Sequence, residues 1–185
     1  RQLMTSRAWR QQSRNRPAAV TIDPTNRLLW RVPLRRLDAE TLRDSLLRVV
    51  GDLNLQMLGP AVGVKTMSDG QVVTPESSAG RRRSLYLLHR RSTPLTILET
   101  FDAPRITVNC IQRRTSNVVS QALLMFNSRF VDAAATRLAT RILQQTREPS
   151  QQVSQIYQRI LGRSPQPTEL AEAVKFLAQQ GARYA

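Results

Sequence analysis

The stretch of residues 26–53 constrains the fold of this chain most strongly, because it joins an apolar turn to a capped amphipathic helix. Asp38 stands at a position typical of a helix N-cap, and Glu40 falls in the first turn, where a negative charge suits the helix dipole. Apolar side chains then recur every three or four residues, at Leu42, Leu46, Val49, Val50 and Leu53. This spacing predicts a helix that buries one apolar face and turns Arg43 and Arg48 largely toward other faces.

The rest of the chain is typical of helices separated by loops. Residues 1–12 are expected to form the tail of a helix, and Asp23 followed by Pro24 predicts the start of a short helix that carries Trp30. Apolar periodicity and end signals predict further helices over residues 95–101, 118–126, 128–145, 150–161 and 168–181. Residues 54–80, which contain several glycines and prolines and no clear period, predict a long loop.

Two short segments are typical of strands. Residues 84–88 read SLYLL and residues 106–111 read ITVNCI, and pairing between them would form a small β element. The predicted fold class is therefore mainly α: an irregular helical domain with a small two-stranded β element and a long loop, ending in a helical hairpin. We expect a single domain over residues 1–185, with the hairpin at residues 150–181. Because residue 1 falls inside a predicted helix, we also expect a fragment of a longer protein.

Arginine dominates the charge of the chain. There are 28 Lys and Arg residues against 13 Asp and Glu residues, a net charge of +15, and only Lys65 and Lys175 are lysines. The excess lies in two blocks: residues 1–48 hold 11 arginines and 4 acidic residues, and residues 81–114 hold 8 arginines and 2 acidic residues. Arginine makes planar, bidentate contacts with carboxylate, sulfate and phosphate groups. The composition therefore favours an anionic partner, whereas codon bias in a GC-rich genome would give the same composition without a function.

Few side chains fit a catalytic or cofactor site. His89 is the only histidine, which excludes a two-histidine metal site, and Cys110 is the only cysteine, which excludes an internal disulfide. The sequence contains no CxxCH, Walker A, GxGxxG, HExxH or GxSxG motif. We therefore expect no metal, no cofactor and no covalently attached c-type haem. Glu40 and Asp44 lie among arginines that would lower their pKa values, which favours salt bridges over acid–base chemistry.

The sequence argues against a membrane span and against nucleic-acid binding. No apolar run reaches about 18 residues, so we expect no membrane span. Aromatic residues make up only 5% of the chain and do not alternate with the arginines, which argues against a stacking surface for single-stranded nucleic acid. The terminal hairpin resembles a helix-turn-helix only loosely, which argues against reading of duplex DNA.

Arginines around the N-terminus of the central helix form the main candidate site. Within fourteen residues lie Trp30, Arg31, Arg35, Arg36 and Arg43, and the junction between the second strand and the next helix adds Arg113 and Arg114. The acidic residues nearby can pair with only some of these guanidinium groups. We predict an anion- or glycan-binding site in which Trp30 stacks on a sugar. The alternative is a buried ion network with Trp30 in the core.

Several motifs together carry a family resemblance. They are TSRAWRQQS at 5–13, DPTNRLLWR at 23–31, RRLDAETLRD at 35–44, RRSLYLLHRRS at 82–92, FDAP at 101–104 and C-x-x-R-R-T followed by QALLMFN-x-x-FV over 110–131. With these motifs the chain resembles the planctomycete-specific surface-protein domain of unknown function. That domain forms the C-terminal part of long secreted proteins, many of which also carry a planctomycete cytochrome c domain. His89 is not part of the family pattern.

The resemblance implies a setting and no activity. It implies an extracytoplasmic protein, in the periplasm or at the cell surface, encoded near sulfatases and polysaccharide-degrading enzymes. The partners expected are other domains of the same polypeptide, including a c-type cytochrome domain, and an anionic polysaccharide. We therefore expect a docking or binding module for such partners. The alternatives are part of a glycan-processing enzyme completed by further segments, or a nucleic-acid-binding domain, and no catalytic residue can be carried over.

Overall fold

The computed structural model describes residues 2–7, 9–104, 113 and 115–184. The chain divides into two compact units, Arg1–Leu37 and Asp38–Ala185. Eight α-helices and one small antiparallel sheet within the described residues confirm the mainly α fold. The single domain expected over residues 1–185 stays a prediction.

The first unit contains less helix than the sequence predicts. Its helices are α1, Gln2–Thr5, and α2, Pro17–Ile22. Pro17 occupies the first turn of α2, a position that tolerates proline because its N–H would be unpaired there. The helix predicted after Asp23 is wrong: Asp23 follows the end of α2, and the next residues form turns.

The second unit holds the remaining helices. They are α3, Ala39–Val50; α4, Thr96–Thr100; α5, Val119–Asn127; α6, Arg129–Gln145; α7, Pro149–Leu161; and α8, Pro167–Tyr184. Helices α7 and α8 pack against each other as the predicted terminal hairpin. Gly162 ends α7 in the left-handed conformation, with φ of 67°, but α8 continues through Gly181, where the sequence predicted its end.

The sheet lies where the sequence predicted only loop. Strand β1, Lys65–Thr66, pairs antiparallel with β2, Val72–Val73, so that Lys65 faces Val73. The strand predicted at residues 84–88 is wrong, because a 3-10 turn, Ser84–Tyr86, occupies most of it. Leu87 then makes an isolated bridge with Val62. The other predicted strand, residues 106–111, lies outside the described residues.

Two apolar clusters form the core of the second unit. The first contains Ala39, Val62, Leu87, Leu95, Ile97 and Leu98. The second contains Val50, Ala134, Leu138 and Ile142. Helix α3 contributes to both, which explains why its sequence constrains the fold so strongly.

The buried face of α3 differs from the predicted one by about one residue. Its buried side chains are Ala39, Arg43, Leu47 and Val50, whereas Leu46 is half-buried against the first cluster. The sequence predicted that Arg43 lies on a face of α3 other than the buried one, yet its side chain is only 1% exposed. Within the described ranges, no helix is both long and apolar enough to cross a membrane.

Candidate functional site

Trp30 and Arg31 form the candidate contact of the first unit. The indole Nε1–H of Trp30 donates to the backbone oxygen of Asp23 at 2.9 Å, and the side chain is half-buried. The guanidinium carbon of Arg31 lies 5.1 Å from the centroid of the indole ring, and Nη1 of Arg31 donates to Oδ1 of Asn15 at 2.5 Å. The pair combines an aromatic surface with a fixed positive charge, which suits a sugar ring with an acidic substituent.

Two polar side chains shape the loop that carries this pair. Asp23 accepts hydrogen bonds from the backbone N–H groups of Arg27, at 3.0 Å, and Leu28, at 2.8 Å. Asn26 donates to the backbone oxygen of Arg31 at 2.9 Å and accepts from its N–H at 3.2 Å. The hydrogen bond from Leu28 holds the pKa of Asp23 below its ordinary value against the opposing effect of burial. The carboxylate therefore stays ionised and keeps the turn in place.

The predicted site residues are divided between the two units. The first unit contains Trp30, Arg31, Arg35 and Arg36, the second contains Arg43 and Arg113, and Arg114 lies outside the described residues. Arg35 is exposed and Arg36 is half-buried. Their grouping into one site stays a prediction.

Arg43 lies inside the second unit rather than in a cleft wall. Its Nη2 donates to the backbone oxygen of Gly80 at 2.6 Å, and its Nη1 donates to the backbone oxygen of Arg82 at 3.0 Å and to Ser84 Oγ at 3.2 Å. Burial lowers the pKa of Arg43, and the carboxylate of Asp44, 3.4 Å away, partly offsets this shift. Arg43 thus ties α3 to two 3-10 turns, Ala79–Arg81 and Ser84–Tyr86, and its burial speaks against direct contact with a ligand.

A cleft of about 400 Å³ lies beside the N-terminus of α3. Its lining includes Asp38, Glu40, Asp44, Arg83, His89 and Arg113. Arg113 contacts Glu40 with both terminal nitrogens, at 2.7 and 3.2 Å, and lies 3.9 Å from Asp38. The predicted candidate Arg113 is therefore engaged with carboxylates of the same unit.

The carboxylate of Glu40 in this cleft is held in its ionised form. Burial raises the pKa of Glu40, but the hydrogen bond and charge of Arg113 outweigh it, so that the pKa of Glu40 lies below its ordinary value. Asp44 accepts from the N–H of Ser84 at 2.8 Å and from its hydroxyl at 2.7 Å. A carboxyl group acting as a general acid needs the opposite shift, so this arrangement favours ion pairing over acid catalysis.

A second arginine cluster was missed by the sequence reasoning. Arg81, Arg137 and Arg141 converge on the carboxylate of Asp52, just beyond the C-terminus of α3. The four-residue step between Arg137 and Arg141 on α6 was the available signal, since it places both on one helix face. Their common partner is invisible in the sequence because Arg141 and Asp52 lie 89 residues apart.

Comparisons with known proteins give a family without a function. The family model PSD1, described as "Protein of unknown function (DUF1553)", matches residues 1–177. This confirms the resemblance to a domain of unknown function, while the planctomycete association stays a prediction. No curated protein and no solved structure matches the chain.

Proposed function

The chain belongs to the PSD1 family of unknown function, and from its geometry we propose that it is a non-catalytic binding module for an anionic polysaccharide, sulfated or carboxylated. One observation carries the proposal. Four carboxylates, those of Glu40, Asp44, Asp52 and Glu169, are each paired with an arginine of the same chain and are not free to repel an anion. Neutralised acids leave the excess of +15 on the remaining basic side chains, where it attracts a polyanion.

The resemblance supports the polysaccharide as the class of polyanion. It implies a module outside the cytoplasm, where such polymers occur, encoded near enzymes that degrade them. Trp30 with Arg31 is the proposed sugar contact of the first unit, because a half-buried indole offers stacking surface and the guanidinium offers charge. Exposed Arg35 adds a second cation in the same segment.

Calorimetric titration with a sulfated polysaccharide and with its desulfated form tests the proposal. We expect binding to the sulfated form that weakens as salt rises, and weak or no binding to the desulfated form. Arg35→Gln is expected to weaken binding, whereas Arg16→Gln, which removes another exposed arginine of the same unit, serves as the control. Duplex DNA competes in a parallel titration, because salt dependence alone does not separate the two polyanions. Preference for DNA, or equal binding of the desulfated polymer, would contradict the proposal.

A second candidate function, docking of another domain of the same polypeptide, is favoured by the surface of α5. Val119, Leu123 and Phe126 lie on one helix face at four- and three-residue spacing. Phe126 is 86% exposed, and Val119 and Leu123 on the same face are also exposed, so the three form an apolar strip. A partner with an acidic rim would complement the net charge of the chain.

Hydrogen exchange distinguishes this second function from the first. If a partner domain covers α5, amides around Phe126 exchange more slowly in the longer polypeptide that the resemblance implies than in the 185-residue chain. Phe126→Asp should remove that difference and leave polysaccharide binding unchanged. Equal exchange in both proteins would rule out docking on this face.

A further inference from the structure

Asp52 is the centre of a cluster that combines one buried carboxylate with three arginines. Its side chain is 3% exposed, with Oδ2 lying 2.6 Å from Nε of Arg137 and Oδ1 lying 2.8 Å from Nη2 of Arg141. Nη1 of Arg81 lies 3.8 Å from Oδ2. The arginines come from two separate elements, the first 3-10 turn, Ala79–Arg81, and helix α6.

The surrounding backbone fixes the positions of two of these guanidinium groups. Nη1 of Arg141 also donates to the backbone oxygen of Val50, at the C-terminal end of α3 where positive charge is favourable. Gly51 leaves room for this contact, because a Cβ at that position would overlap Nη1 of Arg141. Nη2 of Arg81 donates to the backbone oxygen of Glu76 at 3.1 Å. The charges are therefore held in place before any ligand arrives.

The cluster retains a positive charge that points toward solvent. Three guanidinium groups surround a single carboxylate, which can neutralise only one of them. The arginine side chains are 36–42% exposed while Asp52 is buried. Arg137 approaches Asp52 through Nε, and within the described part of the chain neither of its terminal nitrogens makes a hydrogen bond. This outer edge matches the two oxygens of a sulfate or carboxylate group.

We infer that this cluster is an oxyanion-binding site, in which the outer edge of Arg137 receives a sulfate ester or carboxylate of the polysaccharide. The identity of the polymer rests on the proposed function, whereas the capacity for an oxyanion rests on the cluster alone. Asp52 orients Arg137 from behind and does not contact the ligand. Together with Arg137, Arg81 and Arg141 give the cluster more positive charge than the single negative charge of Asp52 can neutralise.

Two probes separate this inference from the proposed function: sodium sulfate, compared with sodium chloride at equal ionic strength, and a sulfated polysaccharide. For the wild type we expect sulfate to raise the melting temperature above that in chloride and the polysaccharide to bind. Sulfate also stabilises folded proteins in general, so the contribution of the site is the part of the sulfate effect that Arg137→Gln removes. This variant should also weaken polysaccharide binding by about tenfold, as expected for the loss of one charge-assisted, bidentate contact. Arg137→Lys should give an intermediate loss, because it keeps the charge and loses the planar fork.

Two further variants exclude a merely structural or nonspecific role. Arg147→Gln removes one exposed arginine just after α6 and should change polysaccharide affinity less than twofold by the loss of one screened charge. Asp52→Asn should lower the melting temperature yet strengthen sulfate binding, because it removes the negative charge behind Arg137. If the cluster were purely structural, Asp52→Asn would lower the melting temperature without strengthening sulfate binding.

The outcomes divide cleanly. If the wild type binds the polysaccharide and Arg137→Gln binds as tightly as Arg147→Gln, the site is refuted while the proposed function stands. If the wild type ignores the polysaccharide but is stabilised by sulfate through Arg137, the oxyanion site stands and the proposed function fails. If sulfate stabilises the wild type no more than it stabilises Arg137→Gln, the inference is overturned.

Discussion

The two ends of helix α3 use arginine in opposite ways. Toward the N-terminus, Arg43 is fully buried and donates to the backbone oxygens of Gly80 and Arg82. Just past the C-terminus the burial is reversed, because the carboxylate of Asp52 is buried and its arginines are partly exposed. A buried arginine whose N–H groups donate to backbone oxygens, such as Arg43, is an internal tie between parts of the core. An arginine that shares one carboxylate with two others keeps charge and donors for a ligand.

The largest expected effect comes from removing the internal tie. Arg43→Met should lower the free energy of unfolding by about 3–5 kcal/mol, because it leaves the backbone oxygens of Gly80 and Arg82 without this buried donor. Urea denaturation followed by circular dichroism measures this loss. Arg83→Met, at an exposed neighbour of the same carboxylate, is the control and should cost far less. A loss below about 1 kcal/mol for Arg43→Met would show that the tie is not structural.

The middle of α3 gives the next effect. Leu47 is fully buried and Leu46 is half-buried, so Leu47→Ala should cost about 2–5 kcal/mol and Leu46→Ala distinctly less. The same urea titration compares the two variants directly. A larger loss for Leu46→Ala would restore the face that the sequence predicted and contradict the observed rotation of the helix.

The Asp52 end should tolerate the loss of an arginine far better than the Arg43 end. Arg137→Gln is expected to lower the free energy of unfolding by about 0–1 kcal/mol, as for other partly exposed ion pairs, because Arg141 continues to neutralise Asp52. Differential scanning calorimetry of the variant beside Arg43→Met measures the contrast. Equal losses at both ends would remove the distinction between structural and ligand-binding arginines.

The smallest effect concerns a partly exposed ion pair between Arg163 and Glu169 on the terminal hairpin, in contrast to the buried Arg43. Hydrogen bonds from Arg163, at 2.7 Å, lower the pKa of Glu169 from its ordinary 4.5 to about 2. A lowered pKa stabilises the fold above about pH 4.5, and this stabilisation disappears as pH falls toward 2. Glu169→Gln should therefore melt slightly below the wild type at pH 7, with the difference vanishing in acid. A difference that persists at pH 2 would assign the effect to packing.

Some of the candidate site was accessible from the sequence and some was not. The stretch around Trp30 and Arg31 was identified as arginine-rich, but the turn that carries it was mistaken for a helix. Asp23 caused this error, because an aspartate before a proline is typical of an N-cap, whereas here it accepts hydrogen bonds from residues after α2. Arg43 was placed on an exposed face because no sequence pattern distinguishes a solvated arginine from a buried one with satisfied donors.

The sequence by itself determined the helical character of the chain, the ends of most helices in the second unit and the sign of its charge. These properties depend on periodicity, capping residues and composition, which act within a few residues. Tertiary structure alone decided which arginines are buried and which oxygen atoms they bind. Arg43 donates to the backbone oxygen of Gly80, 37 residues away, and Arg141 donates to the carboxylate of Asp52, 89 residues away. Contacts over such separations form only when packing brings helices and turns together, and side-chain burial then fixes the chemistry that each arginine retains.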